Sequence, residues 1–202
     1  MSPDKKAYLT IMEEIVFRTD VIEELISQKI NMKYTGIQIE SMALQVRMIT
    51  ELIALGSLAA NKPLFEENLK KFKKLYHPKE VLRDIEKLNP KFYPEPIVEI
   101  QAQDDSQIGE FVSLKSGFMT PDELIEVHGR CGDMLHAKNP YGKGIDYSDY
   151  NRYEAIVINW VTRIKTLLNF HLIRPLDQNQ IYKVWMLDKE TRRPRMQTFQ
   201  KI

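Results

Sequence analysis

Residues 37–61 read IQIESMALQVRMITELIALGSLAAN. Leu, Ile, Val, Met and Ala recur here at three- and four-residue spacing. Over the second half they occupy nearly every side of a helix. A helix with one apolar face covers a core, whereas one that is apolar all round sits inside it. The segment therefore predicts the central helix of a bundle, with Pro63 just past its end. Residues 42–60 also form the longest apolar-rich run of the chain. Gln45, Arg47, Thr50 and Glu51 interrupt that run, so it reads as a core helix rather than a membrane span.

Helical periodicity extends to both sides of this segment. Tyr8, Met12, Ile15, Thr19, Ile22 and Ile26 make an amphipathic stripe that opens at Pro3 and Asp4 and runs to about Gln28. Phe65, Leu69, Phe72 and Leu75 mark a shorter Lys-rich helix, and Val81, Leu82, Ile85 and Leu88 another. Pro90, Pro94 and Pro96 then forbid helix. Thr120, Pro121 and Glu123 supply a cap, a first-turn proline and a capping box for a helix over 120–138, stopped by Pro140. The last long helix starts at Ser148 or Asp149 and carries Ile156, Trp160, Val161, Ile164, Leu167 and Leu168 inward. Alternating residues at 97–102 and 108–114 are candidates for a short inserted hairpin. Ile181, Val184, Trp185 and Leu187, then Met196, Thr198 and Phe199, predict a C-terminal hairpin with Arg192, Arg193 and Arg195 near its tip. The expectation is a single, mainly α domain. A bundle of five to six helices fills 1–174, and a β-hairpin tail, 175–202, folds onto its surface and is separable from it.

Composition narrows the function classes. The 202 residues carry 29 Lys and Arg against 28 Asp and Glu, so no global field marks a nucleic-acid or membrane protein, and any basic site is local. The single cysteine, Cys131, excludes an internal disulfide or a Cys-rich zinc site and points to a reducing compartment. The polar start lacks a secretory apolar region, so a cytoplasmic location with no membrane association is expected. Gly-rich phosphate loops, GxSxG, HExxH and paired-carboxylate signatures are absent from the sequence.

Residues 127–140 read VHGRCGDMLHAKNP. On a helix turning about 100° per residue, Arg130, Asp133 and His136 follow one another about 60° apart. His128, Gly132 and His136 stack on a neighbouring line. A cation, a carboxylate and an imidazole are thus presented together before a proline-stopped loop that includes Asn139. Gly132 costs the helix about 1 kcal/mol relative to alanine and leaves room for another backbone or a substrate. A structural reading stands beside this one, with His136 in the core and Arg130 and Asp133 as a surface pair. A metal reading would use His128, Cys131 and His136, with Asp133, but their spacing is no recognised zinc signature. Gln45, Arg47 and Glu51 form a second constellation, either a pair that fixes packing or a contribution to the same cleft.

The segment Arg130-Cys131-Gly132-Asp133-Met134-Leu135-His136 resembles the R-x(4–6)-H motif of HEPN domains, small helical bundles widespread in prokaryotic toxin, antiphage and CRISPR-associated systems. The resemblance implies a metal-independent, cofactor-free endoribonuclease whose motif helices meet across a homodimer. It implies proton transfer by His136 at the ribose 2′-hydroxyl and the leaving oxygen, and stabilisation of the phosphate by Arg130. Cys131 stands where many members carry a polar residue, a place Asp133 can take over. Catalytic roles are thus expected for Arg130, Asp133 and His136, and RNA contacts for Arg47, Glu51, His128 and Asn139. The expected function is an RNA-cleaving or RNA-binding protein acting as a defence or toxin effector. Two alternatives are a non-catalytic helical interaction or dimerisation module, and a small-nucleotide-binding protein with a pocket reached by Arg47.

Overall fold

The computed structural model describes residues 2–62, 77–100, 110–137, 141, 148–175, 179–188 and 190–200. The expected helix around Phe65 to Leu75 and the loop residue Asn139 lie outside them. Five helices and five strands follow one another along the described chain: α1 (Pro3–Ile26), α2 (Thr35–Ala60), α3 (Pro78–Leu88), β1 (Glu95–Ile100), β2 (Glu110–Ser113), α4 (Pro121–Leu135), α5 (Ser148–Leu168), β3 (Phe170–Ile173), β4 (Gln180–Trp185) and β5 (Arg195–Gln200).

The helices follow their apolar periods. Tyr8, Met12, Ile15, Thr19, Ile22 and Leu25 of α1 are buried, and Ser2 accepts the Lys5 N–H at its start. α2 is the central element, in contact with α1, α3, α4 and α5. Its residues Met42, Ala43, Val46, Ile49 and Ile53 are within 1% of complete burial, as its all-round apolar pattern requires. It is the one described helix long and apolar enough to cross a membrane, and those buried side chains belong to the protein's own core. α4 has the expected capping box: the Thr120 hydroxyl accepts the Glu123 N–H, and the Glu123 carboxylate accepts the Thr120 N–H at 2.9 Å. It ends at Leu135, three residues before the expected boundary, because His136 turns extended with ψ 135° while its N–H still bonds Gly132 O.

The β structure departs from expectation. The inserted hairpin is present, but it and the C-terminal hairpin belong to one antiparallel sheet of order β2-β1-β3-β4-β5. β3 joins them, pairing Pro96 with His171 on one side and Val184 with His171 on the other. The sequence reading missed β3 because it is four residues long and follows α5 after Asn169 alone, too short for a period to show. The tail is therefore part of a five-stranded sheet and not a hairpin by itself. Ile173, Tyr182, Val184 and Met186 are buried in the same core as α1, α2 and α5.

Polar groups fasten sheet to helices. His171 is fully buried, with Nδ1 2.6 Å from Leu168 O and Nε2 2.7 Å from the Tyr8 hydroxyl. A carbonyl can only accept, so Nδ1 carries the proton and Nε2 accepts from Tyr8. Burial holds the imidazole pKa down at about 4, so the ring is neutral. Asn89 donates to Asn61 Oδ1 and to Arg174 O, and Asn61 donates to Ser57 O, tying the ends of α2 and α3 to the end of β3.

Candidate functional site

α4 is held at two places. Near its N-terminus, the Arg163 guanidinium of α5 donates to Glu123 Oε2 at 2.6 Å and to Phe118 O at 2.8 Å. Burial alone would raise the Glu123 pKa, but the Thr120 donors and Arg163 hold it below the usual carboxylate range. In its middle, α4 meets α2. Leu124, Val127, His128 and Cys131 turn inward, and His128 Nε2 lies 3.0 Å from Glu51 Oε1. Burial lowers the His128 pKa more than the Glu51 hydrogen bond raises it, and Arg47 lowers it further. The neutral ring therefore presents Nε2–H as the donor to the carboxylate.

Arg47 completes this cluster. Its Nε stands 3.5 Å from Glu51 Oε1, and its Nη1 donates to His128 O at 3.4 Å. A Cβ placed on Gly132 would lie 2.7 Å from Nη1. The room opened by this glycine is thus taken by the Arg47 guanidinium, rather than by a backbone or an open substrate space. A pair one helical turn apart on α2 reaches two positions one turn apart on α4, which fixes the mutual register of the helices. Gln45 does not share the cluster: about 200° from Arg47 around the helix, it accepts from Arg18 of α1 at 2.8 Å.

The three residues expected to react lie on the outside. Arg130, Asp133 and His136 are all exposed, so the core reading of His136 is excluded. The Arg130 guanidinium lies over the Trp160 ring at 5.0 Å and 3.6 Å from Glu126, not against Asp133. Cys131 is buried, and burial pushes its thiol up to about 12, so it stays protonated and is a poor nucleophile. Among the described residues no group of three His, Cys, Asp or Glu side chains is placed to hold a metal ion. A cavity of about 80 Å³ between α1 and α5, lined by Ile15, Val16, Thr19, Ile164, Leu168 and Met186 among others, includes none of the expected site residues.

Two participants escaped the sequence reading. His77 stands with its ring 5.5 Å from that of His128, edge to face. Its only sequence signal is its place before Pro78, where a helix restarts. Trp160 reads as a core residue from its period, yet it also provides the surface on which Arg130 rests. No family model matches the chain, and neither the curated proteins nor the solved structures include a significant match to it.

Proposed function

We propose that this chain is an RNA-binding protein that cleaves RNA without a metal ion, using the exposed side of α4, in keeping with its resemblance to HEPN domains. The observation that supports this reading is the two-sided character of α4. Glu51, His128 and Arg47 hold the helix from within, while Arg130 and Asp133 of α4 and His136, the residue that caps it, remain exposed. Reacting groups mounted on an element fastened by other polar groups are preorganised.

The reaction needs little else. The ribose 2′-oxygen attacks phosphorus, the P–O5′ bond breaks, and a 2′,3′-cyclic phosphate and a 5′-hydroxyl result. One imidazole takes the 2′-hydroxyl proton and another protonates the departing O5′. A second copy of the chain, with its own His136 facing the first, supplies both roles. Arg130 bears against the phosphate, where negative charge grows. In this reading Arg47, Glu51 and His128 are positioning residues, since the contacts they make are to one another.

The stacking of Arg130 on Trp160 and its pairing with Glu126 favour a second reading, binding without cleavage, because a guanidinium already engaged must be released to meet a phosphate. End-labelled mixed RNA incubated with the protein in EDTA separates the two. Cleavage to cyclic-phosphate ends, abolished by His136→Ala and by Arg130→Ala in proteins that still fold and dimerise, is the expected result. Cleavage indifferent to both substitutions would overturn the assignment to α4, and retention of intact RNA would favour binding alone.

A further inference from the structure

The sheet has two unlike faces. Tyr182 and Val184 of β4 point into the core, and Lys183 and Trp185 point to the opposite side. Lys183 Nζ lies 4.0 Å from the centroid of the Phe111 ring, 4.8 Å from Trp185, 4.9 Å from Phe199 and 5.8 Å from Phe170. The rings interlock: Phe170 stacks on Trp185 at 5.2 Å and meets Phe111 edge to face at 5.7 Å. Phe111 and Phe199, on the two edge strands, are each 40% exposed. The Arg195 guanidinium lies 6.0 Å over Trp185 and is paired with Asp188 at 3.2 Å, and Arg192 and Arg193 are exposed in the adjoining β4–β5 turn.

The lysine decides what this face can accept. It is buried, and among the described residues no carboxylate lies within ion-pair distance of it; burial lowers its pKa, which Glu99 partly offsets from farther away. Covering the face with aliphatic surface would strip the remaining water from a cation and return nothing. A second copy docked about a two-fold axis would bury two Lys183 cations in one interface and bring no negative charge beyond that of the face itself. A partner that brings flat π surfaces together with negative charge satisfies both the rings and the cations. Unpaired nucleobases joined by phosphates have that chemistry, and open sheet faces with exposed aromatic rings suit it geometrically.

We propose that the outer face of the sheet is a platform for single-stranded nucleic acid, with bases stacked on Phe111 and Phe199 and a phosphate met by Arg193 in the β4–β5 turn. This deepens the RNA reading and rests on it for the choice of RNA over DNA, while using no residue of α4.

Fluorescence anisotropy with a labelled 12-nucleotide single-stranded RNA, and with the corresponding duplex, tests the proposal on the full chain. Tighter binding of the single strand is expected. Phe111→Ala and Phe199→Ala, both at exposed edge positions, should each weaken it on the order of tenfold. Arg193→Ala should flatten the logarithmic salt dependence by about 0.7, the loss of one phosphate contact, and decides the matter even if a ring variant folds poorly. Cleavage in EDTA reads the α4 assignment and anisotropy of the ring and Arg193 variants reads the platform, so failure of one claim is distinguishable from failure of the other. Equal affinity of wild type and ring variants overturns the platform, as does preference for the duplex. A concentration-dependent dimer that Phe199→Ala abolishes, without oligonucleotide binding, would assign the face to a second copy instead.

Discussion

Gly132→Ala probes the α2–α4 contact most directly. In an ordinary helix interior the change stabilises by about 1 kcal/mol, because alanine loses less backbone freedom than glycine. Here the added methyl would stand 2.7 Å from Arg47 Nη1, well inside van der Waals contact. The guanidinium is the far end of a flexible side chain, so it moves and the helix does not. That movement lengthens two contacts that are already long, 3.4 Å to His128 O and 3.5 Å to Glu51. Partly exposed interactions of this kind contribute about 1 kcal/mol or less. The two effects nearly cancel, and Gly132→Ala alone should change stability by less than about 0.5 kcal/mol. Once Arg47→Ala has removed the obstruction, the same substitution should recover the full gain of about 1 kcal/mol. Urea unfolding of wild type, both single variants and the double variant yields a coupling of about 0.5–1 kcal/mol. Equal stabilisation by Gly132→Ala in both backgrounds would refute the placement of the guanidinium over this glycine.

Acid should weaken the fold through His171. Its pKa is near 6.5 when unfolded and about 4 when folded, so the unfolded chain binds the proton first. The stabilisation is complete above pH 6.5 and is lost as pH falls toward 4, in total about 3 kcal/mol. His128, lowered in the same direction, adds to the slope. Unfolding free energy followed from pH 7 to 4 should fall, and His171→Asn should flatten that dependence; an unchanged slope in the variant would exclude the buried imidazole as its source. Truncation after residue 175 should abolish cooperative unfolding, since Tyr182, Val184 and Met186 leave the core with β4 and the turn after it. A truncated chain with a sharp thermal transition would restore the separable-tail view.

Local order was legible in the sequence. The stripe of α1, the all-round apolar character of α2 and the Thr120–Glu123 capping box each depend on residues within one or two turns of one another, and each appears in the fold. Arg130 and Asp133 are exposed on α4, but the helical line expected to continue to His136 is interrupted, because the helix ends at Leu135 and His136 turns extended.

Contacts between distant segments were not legible. Glu51 and His128 are 77 residues apart, and Arg47 meets the His128 carbonyl across 81. The sequence shows a charged pair on one helix and a glycine on another, but only close packing of α2 against α4 places one over the other. Sheet membership is likewise a pairing between segments. The backbone groups of β3 must find partners on β1 and β4, and four residues carry too short a pattern to announce that need. Lys183 alternates like any outward strand residue in the sequence. It becomes a caged cation only because the sheet brings Phe111, Phe170 and Phe199 from three other strands around it. A period of 3.6 or 2 residues is a property of the local chain, whereas which surfaces bury each other is settled by the free energy of the whole collapsed molecule.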